Sequence, residues 1–121
     1  MNFKKGLINL KMSLYHQPFA AIKAGTKKIE VRLADEKRSR LQVGDTIEFT
    51  DLDTSETICV KVLGLEKFAT FKQLFAKYSG TIIGSPEDES IADLDRENQT
   101  IYSRAREMQY GALAIRIQII K

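Results

Sequence analysis

The chain has 121 residues and a net charge of +3, with 43% hydrophobic and 29% charged residues. This length fits a single domain, and the composition excludes a disordered or collagen-like chain. No apolar run approaches the roughly 20 residues that a membrane-spanning helix needs, and the first residues lack the apolar stretch of a signal peptide. Because Cys59 is the single cysteine, an internal disulfide and a cysteine-based metal site are excluded, and we expect a cytoplasmic protein.

Positive charge is concentrated at the two ends of the chain. The net charge is +5 over residues 1–50, −5 over residues 51–100 and +3 over residues 101–121. If the two basic ends meet in space, they form a positive face that attracts anions such as nucleic acids or nucleotides. An ordinary solvated surface explains the same distribution, so charge alone does not assign a ligand.

The first half of the chain alternates between strand and helix patterns. Apolar residues at every second position indicate strands, and Pro18 before a glycine stop at Gly25 indicates a helix. The predicted elements, in chain order, are a strand over 10–14, a helix over 16–24, a strand over 28–33, a charged loop over 35–40, a turn over 43–45 and a strand over 46–50. In the second strand the apolar residues share one face, and Glu30 and Arg32 share the other. Asp45 is expected to bond the backbone of its own turn.

The second half contains more helix. Its predicted elements are a strand over 57–65, a helix over 70–78 capped by Thr70, a helix that starts at 85–88 and ends at Gly111, and a strand over 112–120. Ser85 resembles a helix cap, Pro86 suits a first turn, and Glu87 and Asp88 favour the positive end of a helix. Ser103 offers a second cap, at which this helix can break.

The strands are short and the helices are few. This pattern favours an α+β fold, a small mixed or antiparallel β-barrel of five or six strands with peripheral helices, over a parallel α/β sheet. No internal repeat or low-complexity segment divides the chain, so we treat residues 1–121 as one domain.

His16, the only histidine, is the residue that a catalytic triad would need. A lone histidine beside a helix is more typical of a cap or a packed ring, and it provides too few ligands for a usual metal site. Cys59 lies beside Lys61 in a predicted strand, where an ordinary sheet cysteine is the simpler interpretation. The sequence lacks the phosphate-loop and dinucleotide-binding patterns.

A compact polar motif follows the first predicted helix. Gly25 ends the helix, Lys27 stands at the mouth of the next strand, and Glu30 and Arg32 share one strand face. An arginine fork, a carboxylate and a lysine that converge on a barrel opening can hold a polar heterocycle or a phosphate. The alternative is a solvated strand face, on which these residues and Lys28 pair across neighbouring strands. The periodicity leaves both interpretations open.

A second polar segment, residues 101–111, precedes the last predicted strand. Tyr102 and Tyr110 are able to stack on bases, and Arg104 and Arg106 to contact phosphates. In the alternative interpretation the tyrosines pack the helix on the barrel and the arginines are solvated. We favour packing for Tyr110 and leave Tyr102 open.

At these residues the sequence resembles the ASCH domain family, within the PUA-like superfamily. The motif of that family, G-x-K-x-x-E-x-R, stands here as Gly25, Lys27, Glu30 and Arg32. Three flanking segments also resemble the bacterial single-domain members of this family; these segments are residues 18–19, 43–45 and 102–111. The resemblance covers about residues 10–121.

The resemblance implies a β-barrel of five or six strands with a cleft lined by the motif. It implies that the cleft binds RNA, or a nucleotide or modified nucleoside. Taken with the segment 101–111, it gives these candidate ligand-binding residues: Lys27, Lys28, Glu30, Arg32, Tyr102 and Arg104. No metal, organic cofactor or membrane contact is implied, and the oligomeric state is not indicated.

An enzymatic alternative comes from the same resemblance. Some relatives are small amidohydrolases that remove the acetyl group from N4-acetylcytidine. Their lysine matches Lys27, and Glu30 stands where they have a threonine proposed as the nucleophile. On this alternative Glu30 acts as a base on water and Lys27 stabilises the developing oxyanion. The third residue of those enzymes is a glutamate, for which Glu66 and the acids of 87–97 are candidates here.

Overall fold

The computed structural model of the protein describes residues 6–120. Residues 1–5 and 121, which belong to the predicted domain and to its basic ends, lie outside the described residues. The elements, in chain order, are β1 (Asn9–Leu14), α1 (His16–Ala24), β2 (Ile29–Leu33), β3 (Thr46–Asp51), β4 (Thr57–Phe68), α2 (Phe71–Lys77), α3 (Ile91–Gln99), α4 (Arg104–Tyr110) and β5 (Ala112–Ile119). Short 3₁₀ turns lie at Arg38–Arg40 and Gly80–Ile83.

The five strands form one curled, mixed sheet in the order β1-β3-β4-β5-β2. β1 pairs with β3 in parallel, and the other three pairs are antiparallel. The edge strands, β1 and β2, approach each other closely enough for a hydrogen bond. Arg32 Nη2 on β2 donates to the carbonyl of Ser13 on β1 over 3.0 Å. This half-barrel with peripheral helices confirms the predicted α+β fold, and the parallel pairing of β1 with β3 makes the sheet mixed, one of the two predicted forms.

Each face of the sheet carries its own hydrophobic core. The inner face, which α1 covers, is built around side chains such as Phe19, Phe49 and Ile115. The outer face packs against α2 and α3, with Phe71 and Leu74 at its centre. As predicted, Ile29, Val31 and Leu33 share one face of β2, and this is the outer one. Glu30 and Arg32 therefore lie on the inner face, paired in register with Ile115 and Leu113 respectively.

Several predicted ends of elements are confirmed. Gly25 ends α1 with φ of 85°, a left-handed conformation that favours glycine. Thr70 and Ser103 accept hydrogen bonds from the backbone of Gln73 and Arg106, as caps of α2 and α4. Asp45 accepts from the Gln42 N–H within its own turn, and also from the N–H of Ile8.

The predicted helix start at 85–88 is wrong, because α3 begins at Ile91 with Ser90 as its cap. Glu87, one of the two acids expected to stabilise that helix end, has a different partner. The Glu87 carboxylate accepts from the N–H and the hydroxyl of Thr81 over 3.0 and 2.8 Å. Gly80 makes room for it, since a Cβ there would lie 2.5 Å from the carboxylate. The segment 80–90 is therefore folded back on itself and forms a strap beside β2.

None of the helices in residues 6–120 has the length and apolar character needed to cross a membrane.

Candidate functional site

The polar motif lies where α1 gives way to β2. After Gly25 the chain turns sharply, and the Thr26 and Lys27 N–H groups both donate to the carbonyl of Ala21. β2 begins two residues later, at Ile29. This short connection fixes Lys27 at the mouth of the half-barrel, and the period of the strand sends Glu30 and Arg32 to the inner face.

Lys27, Glu30 and Arg32 form one ion-pair cluster, which we call the motif cluster. Lys27 Nζ lies 2.9 Å from Glu30 Oε1, and Arg32 Nε donates to Glu30 Oε2 over 2.6 Å. Their side chains are only 6%, 4% and 14% exposed, in that order. The solvated strand face considered for these residues is thus excluded, and one carboxylate is held between two cations inside the protein.

Backbone carbonyls hold the outer ends of the motif cluster. Lys27 Nζ donates to the carbonyl of Ile83 in the strap over 2.9 Å, and Arg32 reaches Ser13 on β1. Gly84 lies directly against the lysine, since a Cβ there would be 2.8 Å from Lys27 Cδ. No local sequence pattern indicates which carbonyls meet these cations, although Gly84 beside the apolar pair 82–83 is a faint sign of close packing.

The surroundings of the motif cluster favour the ionised forms of Glu30 and Arg32. Burial disfavours the ionised Glu30 carboxylate, but Lys27 and Arg32 outweigh burial and hold the pKa of Glu30 below its ordinary value. Burial also disfavours the charged guanidinium, but Glu30 and, more weakly, Tyr102 hold the pKa of Arg32 above its ordinary value. A carboxylate with a lowered pKa that already accepts from two cations is a weak base.

A pocket of about 430 Å³ opens beside the motif cluster. Most of its wall is apolar, and its polar groups come from Lys27, Lys28 and Gln118. The full lining is Ile22, Gly25, Lys27, Lys28, Leu63, Ile117, Gln118 and Ile119. Lys28 is exposed, so this pocket combines an apolar wall with accessible positive charge. Leu63 and Gln118 are lining residues that the sequence alone did not single out.

Of the predicted ligand residues, Lys27 and Lys28 line this pocket, whereas Glu30 and Arg32 lie behind Lys27 in the motif cluster and Tyr102 and Arg104 lie elsewhere. Tyr102 is half-buried, and its ring stacks on Phe71 with centroids 5.4 Å apart, so one ring face is covered. Arg104 binds Asp95 on α3 and, over 2.7 Å, Glu107 on its own helix, which raises the pKa of Arg104 above its ordinary range. The structure thus brings Lys27, Lys28, Glu30 and Arg32 together and places Arg104 in a separate cluster.

Four candidate carboxylates for a third catalytic residue, Glu66, Glu87, Asp93 and Asp95, have other partners, whereas Glu89 Oε1 is buried without a hydrogen-bond partner among residues 6–120. Glu66 accepts from Lys77 Nζ and from the Tyr78 hydroxyl, over 2.8 and 2.7 Å. Glu87 binds Thr81 in the strap. Asp95 and Asp93 pair with arginines on the helical side of the molecule.

His16 and Cys59 show ordinary surroundings. His16 is exposed, and its Nδ1 lies 2.7 Å from the buried Asp51, which raises the pKa of His16. With Asp53 these residues are the one group of three possible metal ligands found in residues 6–120. Asp51 Oδ1 already accepts from the Asp53 N–H, so the turn that contains both residues explains why these side chains lie close together. Cys59 is exposed and unpaired, as expected for a sheet cysteine.

Comparison with known families agrees with this geometry. The model of the ASCH domain family matches residues 12–121, which include the whole motif. The chain belongs to the ASCH domain family, and the resemblance expected from Gly25, Lys27, Glu30 and Arg32 is confirmed. No curated protein matches the chain.

Solved structures share the fold over most of the chain. The crystal structure of hypothetical protein PH0355 is 35% identical, with a TM-score of 0.82 over 93% of this chain and 99% of that one. The solution structure of protein PF0455 from Pyrococcus furiosus is 28% identical, with a TM-score of 0.74 over 93% and 98%. An ASCH protein from Zymomonas mobilis, solved as its S128A mutant, is 14% identical, with a TM-score of 0.65 over 91% and 67%, and is similar in fold alone.

Proposed function

We propose that this protein binds RNA, or a nucleotide or modified nucleoside, in the pocket beside the motif cluster. The observation that carries the proposal is the burial of Lys27, Glu30 and Arg32 as one ion-pair cluster at the mouth of the half-barrel. Buried ion pairs contribute little net stability compared with apolar packing. Charged groups assembled at such a cost, next to an open pocket, are typical of functional sites. The proposal includes the cytoplasmic location expected from the sequence.

The pocket suits a flat heterocycle that carries a polar or anionic group. Its size lies in the range of about 300–1,000 Å³ that small-molecule sites occupy. Ile117 and Ile119 supply an apolar wall for a ring, while Lys28 offers a cation for a phosphate or carbonyl oxygen. Glu30 acts here as a positioning residue, because both of its oxygens are used to hold Lys27 and Arg32.

The amidohydrolase alternative has less support. It needs Glu30 to take a proton from water, but its pKa is lowered and it already accepts from two cations. Four of the candidate third carboxylates pair with other residues, as described above. Incubation with N4-acetylcytidine, followed by chromatography, tests this alternative: release of cytidine by the wild type and not by Lys27→Ala would favour hydrolysis over binding alone.

Binding is tested by titrating the protein with cytidine 5′-monophosphate and with a labelled single-stranded RNA. We expect Lys28→Gln to weaken both ligands, because it removes the exposed cation of the pocket. We expect Arg32→Lys to weaken them indirectly, because loss of the planar fork disturbs the cluster that holds Lys27 at the pocket wall. Lys72→Gln, an exposed lysine on α2, is the control with the same loss of charge as Lys28→Gln. Wild-type affinity in both site variants, with the unfolding midpoint unchanged, would overturn the proposal.

A further inference from the structure

A second positively charged groove lies at the other end of β2. It has a volume of about 370 Å³ and is mainly polar. Lys37 and Arg40 from the loop after β2, and Arg106 from α4, supply its cations; Asp35, Glu36 and Tyr110 complete the lining. Arg38 binds Asp35 over 2.7 Å and so offsets one of the two acids. The groove therefore keeps an excess of positive charge.

The fold joins this groove to the edge of β1. Lys37 Nζ donates to the carbonyl of Lys11 over 3.1 Å, and Arg32 Nη2 donates to that of Ser13. Carbonyls two residues apart on a strand are separated by about 7 Å. One cation from the groove and one from the motif cluster thus lie side by side along the same edge, which is the seam between β1 and β2.

The pocket and the groove lie near opposite ends of β2, which forms one side of the seam. The pocket includes Lys28, at the start of β2, and the groove includes Lys37, shortly after its end. The five residues of β2 span about 17 Å. A single nucleoside is too short to fill both places, whereas a chain of a few nucleotides has the length and the repeated negative charge to do so.

We infer that the pocket, the seam and the groove form one track for a single-stranded polynucleotide. This inference rests on the proposed function and narrows it: the pocket takes one nucleotide, and Lys37 and Arg106 contact phosphates further along the chain. Each phosphate contact on a single strand contributes about 0.7 to the slope of log affinity against log salt.

The test compares two double variants with equal loss of charge. Lys37→Gln/Arg106→Gln alters the groove, and Lys72→Gln/Arg96→Gln alters exposed cations on α2 and α3. The probes are labelled oligonucleotides of about eight nucleotides, as oligouridine and as its deoxy counterpart, and cytidine 5′-monophosphate. We expect the groove variant to bind the oligonucleotides more weakly and to reduce the steepness of log affinity against log salt by about 1.4. Its affinity for the mononucleotide should stay unchanged, and the control variant should keep wild-type values for both.

The contrary outcomes separate the two proposals. If both double variants behave alike towards the oligonucleotides, or if only the mononucleotide binds, the track is overturned while the pocket proposal stands. If the wild type binds neither the oligonucleotides nor the mononucleotide, the proposed function fails and the track fails with it.

Discussion

At the scale of single residues, the site depends on Glu30. Its carboxylate is 4% exposed and holds Lys27 and Arg32 within hydrogen-bond distance. Removing one partner of a buried ion pair is costly, because the remaining charges stay buried without compensation. Glu30 therefore sets the position of Lys27, the cation of the cluster that lines the proposed ligand pocket.

Glu30→Gln is expected to lower the free energy of unfolding by about 3 kcal/mol at neutral pH. The pKa of Glu30 is lowered in the folded state, so its stabilising contribution is complete above the ordinary value of 4.5 and is lost as the pH falls through the folded pKa. The difference between wild type and variant should shrink on acidification. Urea unfolding at several pH values measures it, with Glu36→Gln as the exposed control. A difference that is negligible, or that grows towards acid, would contradict this.

At the scale of elements, the strap over 80–90 differs most from the sequence-based prediction, which placed a helix start at 85–88. Ser85 and Pro86 have the composition of a helix start, but Glu87 makes a tertiary contact with Thr81 that local patterns do not encode. The strap matters for the site, because its Ile83 carbonyl accepts from Lys27. By contrast, Gly25, Thr70 and Ser103 act through local backbone geometry, so their roles as helix stop and caps were predictable.

Two glycines separate backbone strain from side-chain packing in this region. Gly25 and Gly84 both have φ of 85°, where an alanine is strained by about 1 to 2 kcal/mol. A Cβ at Gly25 meets nothing within 4 Å, but at Gly84 it would lie 2.8 Å from Lys27 Cδ. We expect Gly84→Ala to destabilise the fold more than Gly25→Ala in urea unfolding. Equal losses would show that Lys27 does not pack against the strap as described.

At the scale of the whole molecule, parts of the two basic segments lie next to each other within residues 6–120. β2 pairs with β5, and the Ala34 N–H donates to the carbonyl of Gly111 after α4. This brings Lys37 and Arg40 beside Arg106. The acidic middle of the chain supplies α2, α3 and the strap on the other side of β2.

The fold class, most of the strands and the motif could be predicted from the sequence. Strand periodicity even placed Glu30 and Arg32 on one face. It did not show that this face is the inner one, because strand order and curl depend on contacts between distant segments, such as Arg32 with Ser13. For the same reason the partners of Arg104, Asp95 and Glu107, were not foreseen.

The pocket beside the motif cluster is the proposed ligand site. This is tested by titrating the isotopically labelled protein with cytidine 5′-monophosphate and following the backbone amide signals in two-dimensional NMR. We expect the largest shifts at Gly25, Lys27, Lys28 and Gln118, which line the pocket. Shifts confined to α2 and α3, or no shifts at high ligand concentration, would contradict it.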